Sequence, residues 1–457
     1  MSKSKTNLAG GRNRPSRRAL LRTASAGFGS LALSALLGEA AAAEDPLRPK
    51  QPHFPPKAKR MIFLFMEGAM SSLDTFEYKE DLEKNGGKSG PGGGVLTPSK
   101  FRFKQYGKTG SWFSELLPDI ATHADELCWL RGLYTDTPAH PQAVVQLHTG
   151  SANAALTRPS MGAWLLYGLG TENQDLPGYI TIDPSPNFGG AVNYGSAFLP
   201  AHYQGTRLND AGFLPNLKSA SPPLLERKQL DLIQAMNRDF AAVPGAPDPV
   251  DGIIQSYELA FRMQDKVPGL LDISREPRRV LDAYGVKPGP DGAFARQCLM
   301  ARRLSEAGVR FVEICQSGWD HHTNLHQGLI DRCRNIDQAT SALLADLRER
   351  GLLDETLVLF GSEFGRLPMA QGPDGRDHNI TGYSMFLTGA GVKEGFTYGA
   401  TDELGVKAVD GRMHTTDLHA TLLALMGLNH KELTYRYAGR AFRLTDVRGE
   451  VHQQIFS

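Results

Sequence analysis

Phe311-Val-Glu-Ile-Cys-Gln-Ser-Gly-Trp-Asp-His-His-Thr-Asn-Leu-His326 decides how this chain is read. An apolar, β-rich run ends in a turn that carries Asp320, His321, His322 and, a little later, His326. Runs such as Val309–Cys315 read as strands of a buried parallel sheet. In open α/β sheets the chemistry gathers just beyond the carboxyl ends of such strands. A second run, Thr356-Leu-Val-Leu-Phe360, precedes Gly-Ser-Glu363-Phe-Gly-Arg366 and then Gly375-Arg-Asp-His378. Loops after successive strands thus deliver carboxylates and imidazoles, the donors a metal-dependent hydrolase needs.

The elements around this core alternate. Arg60–Met66 reads as the first buried strand, and its loop holds Asp74. Ser111–Asp125 and Pro141–Thr149 read as short helices around a strand at Glu126–Leu130. Asn173–Pro223 lacks periodicity and reads as an insertion over the sheet. Asp251–Ala283 and Asp291–Ala307 have helical spacing. In Leu325–Arg350 the residues Leu325, Leu329, Cys333, Ile336, Leu343 and Leu347 form one apolar face, and Gly351 ends the helix. Tyr383–Leu387 is a further strand, and Thr416–Gly427 a capped helix. The expected fold is α/β, a mostly parallel central sheet with helices on both faces. Gly86–Gly94 is a flexible loop; Leu82 stands where a phosphate-binding loop needs its first glycine, which excludes that motif.

With 457 residues, 41% hydrophobic and 22% charged, the chain has ample material for a large core. A net charge of +1 argues against nucleic acid as the partner. The amino terminus reads as an export signal. A basic stretch through Arg17, Arg18 and Arg22 precedes the small, apolar Thr23–Leu37 and the alanines up to Ala43. Ser16-Arg-Arg-Ala-Leu-Leu21 resembles a twin-arginine signal. The expected organisation is therefore a signal peptide over 1–43, a proline-rich linker over 44–59 and one domain over 60–457, periplasmic or secreted and free of the membrane once cleaved. The four cysteines, Cys128, Cys298, Cys315 and Cys333, show no paired framework and read as small buried residues.

Candidate ligands follow from residue type and place. Asp320, His322 and His326 surround the first strand end. His322 and His326 share a helix side if the helix starts a turn early; otherwise Asp320 and His322 project together from the strand end. Glu363 follows the second strand directly, with Arg366 suited to hold an anionic oxygen bidentately. His378 precedes the strand at Tyr383. Carboxylate with imidazole suits Zn, Mn or Fe. Thr137, with His140 nearby, is the candidate nucleophile; alternatively it caps the helix that begins at Pro138.

These motifs, with Ile62-Phe-Leu-Phe-Met…Leu-Asp74-Thr-Phe, Thr135-Asp-Thr-Pro-Ala-His140, Gly318-Trp-Asp-His-His322 and Asp417-Leu-His-Ala-Thr-Leu-Leu, carry a resemblance along the whole chain. It resembles a family of exported bacterial proteins described as sulfatase-like, itself similar to the alkaline phosphatase superfamily. The resemblance implies a three-layer sandwich of that superfamily's kind. It also implies a divalent cofactor (Zn, Mn or Ca) and metal or nucleophile positions at Asp74, Thr137, Asp320, His322, Glu363 and His378. The implied activity is hydrolysis of phosphate or sulfate esters of small molecules or polysaccharides, and the rival is a non-catalytic protein of the same fold that binds sulfated polysaccharide or another cell-surface component. Two departures stand out: Asp320-x-His322 replaces the superfamily's Asp-x-x-x-His, and Ser362-Glu363 replaces its Asp-His. The formylglycine motif C-x-[PS]-x-R is absent, since Cys128 is followed by Trp-Leu-Arg.

Overall fold

A computed structural model describes residues 46–153, 156–209, 222–241, 250–289 and 292–457. The expected signal over 1–43 lies outside the described residues. Strand β1 (Arg60–Met66) is buried from its second residue onward. A strand covered on both faces can be apolar at every position, which is why Met-Ile-Phe-Leu-Phe-Met shows no alternation. The remaining strands of the central sheet are β2 (Cys128–Tyr134), β3 (Tyr179–Ile182), β4 (Thr206–Leu208), β5 (Phe311–Gln316), β6 (Thr356–Gly361), β7 (Tyr383–Gly389), β8 (Thr397–Tyr398) and β9 (Met413–His414). Their order is β8-β2-β7-β6-β1-β5-β3-β4, with β9 also beside β2.

β1 sits between β5 and β6 and runs parallel to both, with Ile62 opposite Val312 and Val358. β7 is antiparallel to its neighbours β6 and β2. Two reversals put β2 parallel to β1. The loops that leave β1, β2, β5 and β6, and the segment that enters β7, therefore all meet at one end of the sheet. The fold is α/β with a mainly parallel sheet.

Helix α1 (His140–Thr149) follows β2, and helix α2 (Leu325–Glu349) follows β5. All six apolar positions read for α2 are buried. Its start at Leu325, after Asn324 at φ 54°, leaves His322 in the loop. Asp320 and His322 thus project together from the strand end. Gly351 at φ 69° takes the left-handed position that ends the helix. The four cysteines are buried and unpaired.

Two expectations differ from the structure. Ser111–Asp125 is no helix: Phe103–Tyr106 and Ser111–Ser114 pair as a hairpin, followed by a 3₁₀ stretch at Ile120–Glu126. Gly107 and Gly110, at φ 67° and 66°, supply the turn, and Trp112 and Phe113 suit a pleated surface better than their spacing suits a helix. Asn173–Pro223 is not merely an insertion, because β3 and β4 extend the sheet beyond β5. From Leu47 the expected linker lies along the body, with Lys57 and Ala58 N–H donating to Leu425 O at 2.9 and 3.0 Å. No helix among the described residues is long and apolar enough to cross a membrane.

Candidate metal centre

His140, Asp320, His322 and His378 converge where these loops meet, each offering one atom within 4.8 Å of the others. His140 opens α1 after the β2 loop; Asp320 and His322 stand in the β5 loop. His378 comes from a hairpin between β6 and β7, Gly365–Ala370 paired with Arg376–Asn379. The Nε2 atoms of His140, His322 and His378 lie 3.1, 3.0 and 3.5 Å from Asp320 Oδ1. His322 Nε2 and His378 Nε2 are 2.8 Å apart.

The outer nitrogens are each held. His140 Nδ1–H donates to Glu363 Oε1 at 2.6 Å, His378 Nδ1–H to Pro138 O at 2.6 Å, and His322 Nδ1–H to Gln371 Oε1. An imidazole that donates from Nδ1 presents a lone pair at Nε2. Three such lone pairs and one carboxylate oxygen then face a common point. Two facing lone pairs at 2.8 Å repel unless a proton or a cation lies between them. His140 Nε2 is moreover buried with no hydrogen-bond partner. The donor set N₃O, with its oriented outer partners, fits a zinc-like divalent ion.

Electrostatics agree. Burial works to raise the Asp320 pKa, yet the His140 and His378 rings and the Arg366 guanidinium around it hold it well below the usual carboxylate range. Burial works to lower the His140 pKa, but the Asp320 and Glu363 carboxylates push it up to about 9. The pocket holds positive charge at its centre, supplied by a proton or by a metal that displaces it.

Arg366 organises this pocket from below. Its side chain is fully buried, and it donates to Gly68 O at 2.5 Å, Ala69 O at 2.9 Å, Arg376 O at 3.1 Å and Asp320 Oδ1 at 2.6 Å. With its donors spent on the β1 and β5 loops, it positions Asp320 and is closed to a substrate oxygen. Glu363, 1% exposed, also accepts from Gly68 N at 3.0 Å and stands behind His140 as its partner. Gly68, at φ 109°, has no room for a Cβ, which would meet Asp320 N at 2.7 Å.

Like Glu363, which was read as a ligand and instead holds His140, three further candidates for ligand or nucleophile take other places. Asp74 is buried against Arg376, whose Nε and Nη2 donate to its two oxygens at 2.7 and 3.2 Å. His326 stacks on Phe101 with centroids 4.7 Å apart, while its backbone N–H donates to Asp374. Thr137 Oγ1 accepts from Ala139 N at 3.2 Å, one residue before the carbonyl that holds His378. Sequence reading passed over Gln371 and the Pro138 carbonyl, and nothing in residue type marks either. Phe364 and Phe188 were also missed; they stack on the two sides of the His140 ring, at 4.7 and 5.2 Å.

A family model described as "Protein of unknown function (DUF1501)" matches residues 58–456. The chain belongs to this family. No curated protein matches the sequence. Among solved structures it is similar to the lipoteichoic acid synthase LtaP from Listeria monocytogenes, at 9% identity and TM-score 0.41, over 84% of this chain and 76% of that one. It is also similar to an alkaline phosphatase from the Antarctic bacterium TAB5 (13% identity, TM-score 0.36, 83% of this chain and 100% of that). A third is the PsFucS1 sulfatase from Pseudoalteromonas sp. (14%, 0.36, 81% and 68%). At TM-scores this low the likenesses decide nothing about chemistry, so function rests on the site's own side chains.

Proposed function

We propose that this DUF1501 protein is an exported, metal-dependent hydrolase of phosphate or sulfate esters. The observation that carries the reading is the convergence of three Nε2 atoms and Asp320 Oδ1, with every Nδ1 tied to its own acceptor. A divalent ion in that N₃O set supplies Lewis acidity toward an ester's oxygens. Asp320, His322 and His378 hold the exposed side of the pocket, with side chains 37%, 34% and 16% exposed, whereas His140 is closed off at 7%. The ester therefore enters from the Asp320–His322 side. Thr137, beside Pro138, is the proposed attacking hydroxyl. Absence of the formylglycine motif favours phosphate over sulfate esters. The basic, alanine-rich leader supports export through the twin-arginine route to the periplasm.

One observation favours the rival, non-catalytic reading: Arg366 and Arg376, the two arginines of the hairpin that carries His378, are both consumed by internal partners. Elemental analysis and an aryl phosphate and aryl sulfate screen separate the two. A hydrolase retains about one ion per chain and turns over an ester, and Asp320→Ala abolishes both. Metal without turnover across the screen supports the binding protein. No metal in protein folded with Zn, Mn or Ca refutes the site.

A further inference from the structure

With Arg366 and Arg376 spent, the charge that would meet an anionic ester must come from elsewhere, and α2 provides it. Arg332 lies two turns into that helix, and side chains there lean back toward the helix start. Its guanidinium lies flat against Gly318: a Cβ on that residue would meet Arg332 Cζ at 2.8 Å, Nη2 at 3.0 Å and Nε at 3.1 Å. Gly318, at φ 95°, is exposed and stands two residues before Asp320 in the same loop. Two residues span at most about 7 Å of chain, so the glycine that this guanidinium covers lies within about 7 Å of Asp320 along the loop.

Its surroundings leave it uncommitted. Among the described residues no carboxylate, carbonyl or hydroxyl forms a hydrogen bond or ion pair with Arg332. The fully buried arginines of the chain differ: Arg302, Arg310, Arg366 and Arg376 each hold carboxylates or carbonyls. One turn earlier, His321 packs on Gly328, where a Cβ would meet its Nε2 at 2.2 Å. Residues 328 and 332 share a helix face. The His321 ring and a free fork of N–H donors therefore lie side by side along the β5 loop, and two glycines make the room for them. A planar guanidinium held by packing and lacking an internal partner is built to take a tetrahedral oxyanion on two parallel N–H bonds.

We propose that Arg332, laid across Gly318, is the oxyanion-recognising residue of this site, holding the phosphate or sulfate oxygens of the ester; the inference rests on the hydrolase reading for its substrate but not for its anion. Arg332 acts on the ligand directly, in the part that sequence reading assigned to Arg366.

The test measures binding of inorganic phosphate and of sulfate by calorimetry. It uses the mature chain both zinc-loaded and chelator-treated, comparing wild type with Arg332→Met and Arg332→Lys. Expected are unchanged zinc content and melting temperature, a phosphate affinity lowered at least about tenfold in Arg332→Met, and a smaller loss in Arg332→Lys, which keeps charge but not the fork. If Arg332→Met fails to fold, Arg332→Gln takes its place. Equal phosphate affinity in wild type and Arg332→Met overturns the proposal, as does a wild type that binds neither anion in either form. A wild type that takes no zinc but still loses phosphate binding with Arg332 would sink the metal centre and leave the oxyanion site standing.

Discussion

Arg376→Met should weaken the fold while leaving its metal content intact. The resemblance places Asp74 among the ligands, whereas the structure buries it against Arg376, with side chains 3% and 1% exposed. Two charge-assisted bonds join them, and Ser71 Oγ donates to Asp74 Oδ2 at 2.6 Å. Burial works to raise the Asp74 pKa, but the Arg376 charge and its hydrogen bonds hold it below the usual carboxylate value. Methionine fills the arginine's stem volume and leaves the carboxylate unpaired, which costs about 3–5 kcal/mol. With an unfolding entropy of about 2 cal/mol/K per residue over roughly 400 residues, that loss lowers Tm by about 4–6 °C. Differential scanning calorimetry reads the shift, and elemental analysis reads the metal. Asp74→Asn should likewise destabilise and keep stoichiometric metal. The reasoning is refuted if Asp74→Asn loses its ion at an unchanged Tm, since Asp74 would then be a ligand.

Further outcomes follow from the same geometry. Glu363→Gln keeps an acceptor for His140 but turns an amide N–H toward Gly68 N; zinc affinity should fall about 10–100-fold by competition with a coloured chelator, and wild-type affinity would contradict the partner role. Gly68→Ala should destabilise the protein and lower zinc occupancy, because its Cβ cannot fit beside Asp320 N; a fully occupied, equally stable variant would show that the loops yield. Burial lowers the His419 pKa to about 4, and the ring donates to Leu147 O at 2.7 Å. A depressed folded pKa means that its contribution is complete above about pH 6.5 and is lost as pH falls toward 4, amounting to about 3 kcal/mol. In chelator-treated protein, His419→Gln should flatten the decline of Tm between pH 7 and pH 4; an unaltered slope would exclude this histidine.

The strands that carry the site were legible because burial on both faces imposes unbroken apolar runs: β1 was read to the residue, and β5 and β6 within two. Helix α2 was legible from its single stripe. The hairpin at 103–114 was not, since its aromatic residues are covered, Phe113 fully and the others in part, by contacts from distant segments, and periodicity does not register those. Within the site, Asp320, His322 and His378 were visible as donors next to strand ends. His140 was seen in a different role, as a companion of Thr137. Glu363, Asp74 and Arg366 were read from residue type, place and resemblance, and none of these tells a ligand from the neighbour that orients it. That distinction lies in which nitrogen of His140 faces Glu363, a matter of fractions of a turn at χ2. The Pro138 carbonyl was invisible because a backbone oxygen leaves no mark in a sequence, and Gln371 because an amide 49 residues from His322 is like any other surface glutamine until the fold brings them together.

The four converging donors come from segments that follow β2 and β5 and that precede β7, on both sides of the central strand. An ion seated there ties together parts of the chain that would otherwise separate early as the end of the sheet frays. Its escape then requires several loops to part at once, so exchange with labelled zinc should be far slower than the strength of any single bond implies. A resident metal would in effect serve as the latch of the fold, and its departure rate as a clock for the opening of that edge.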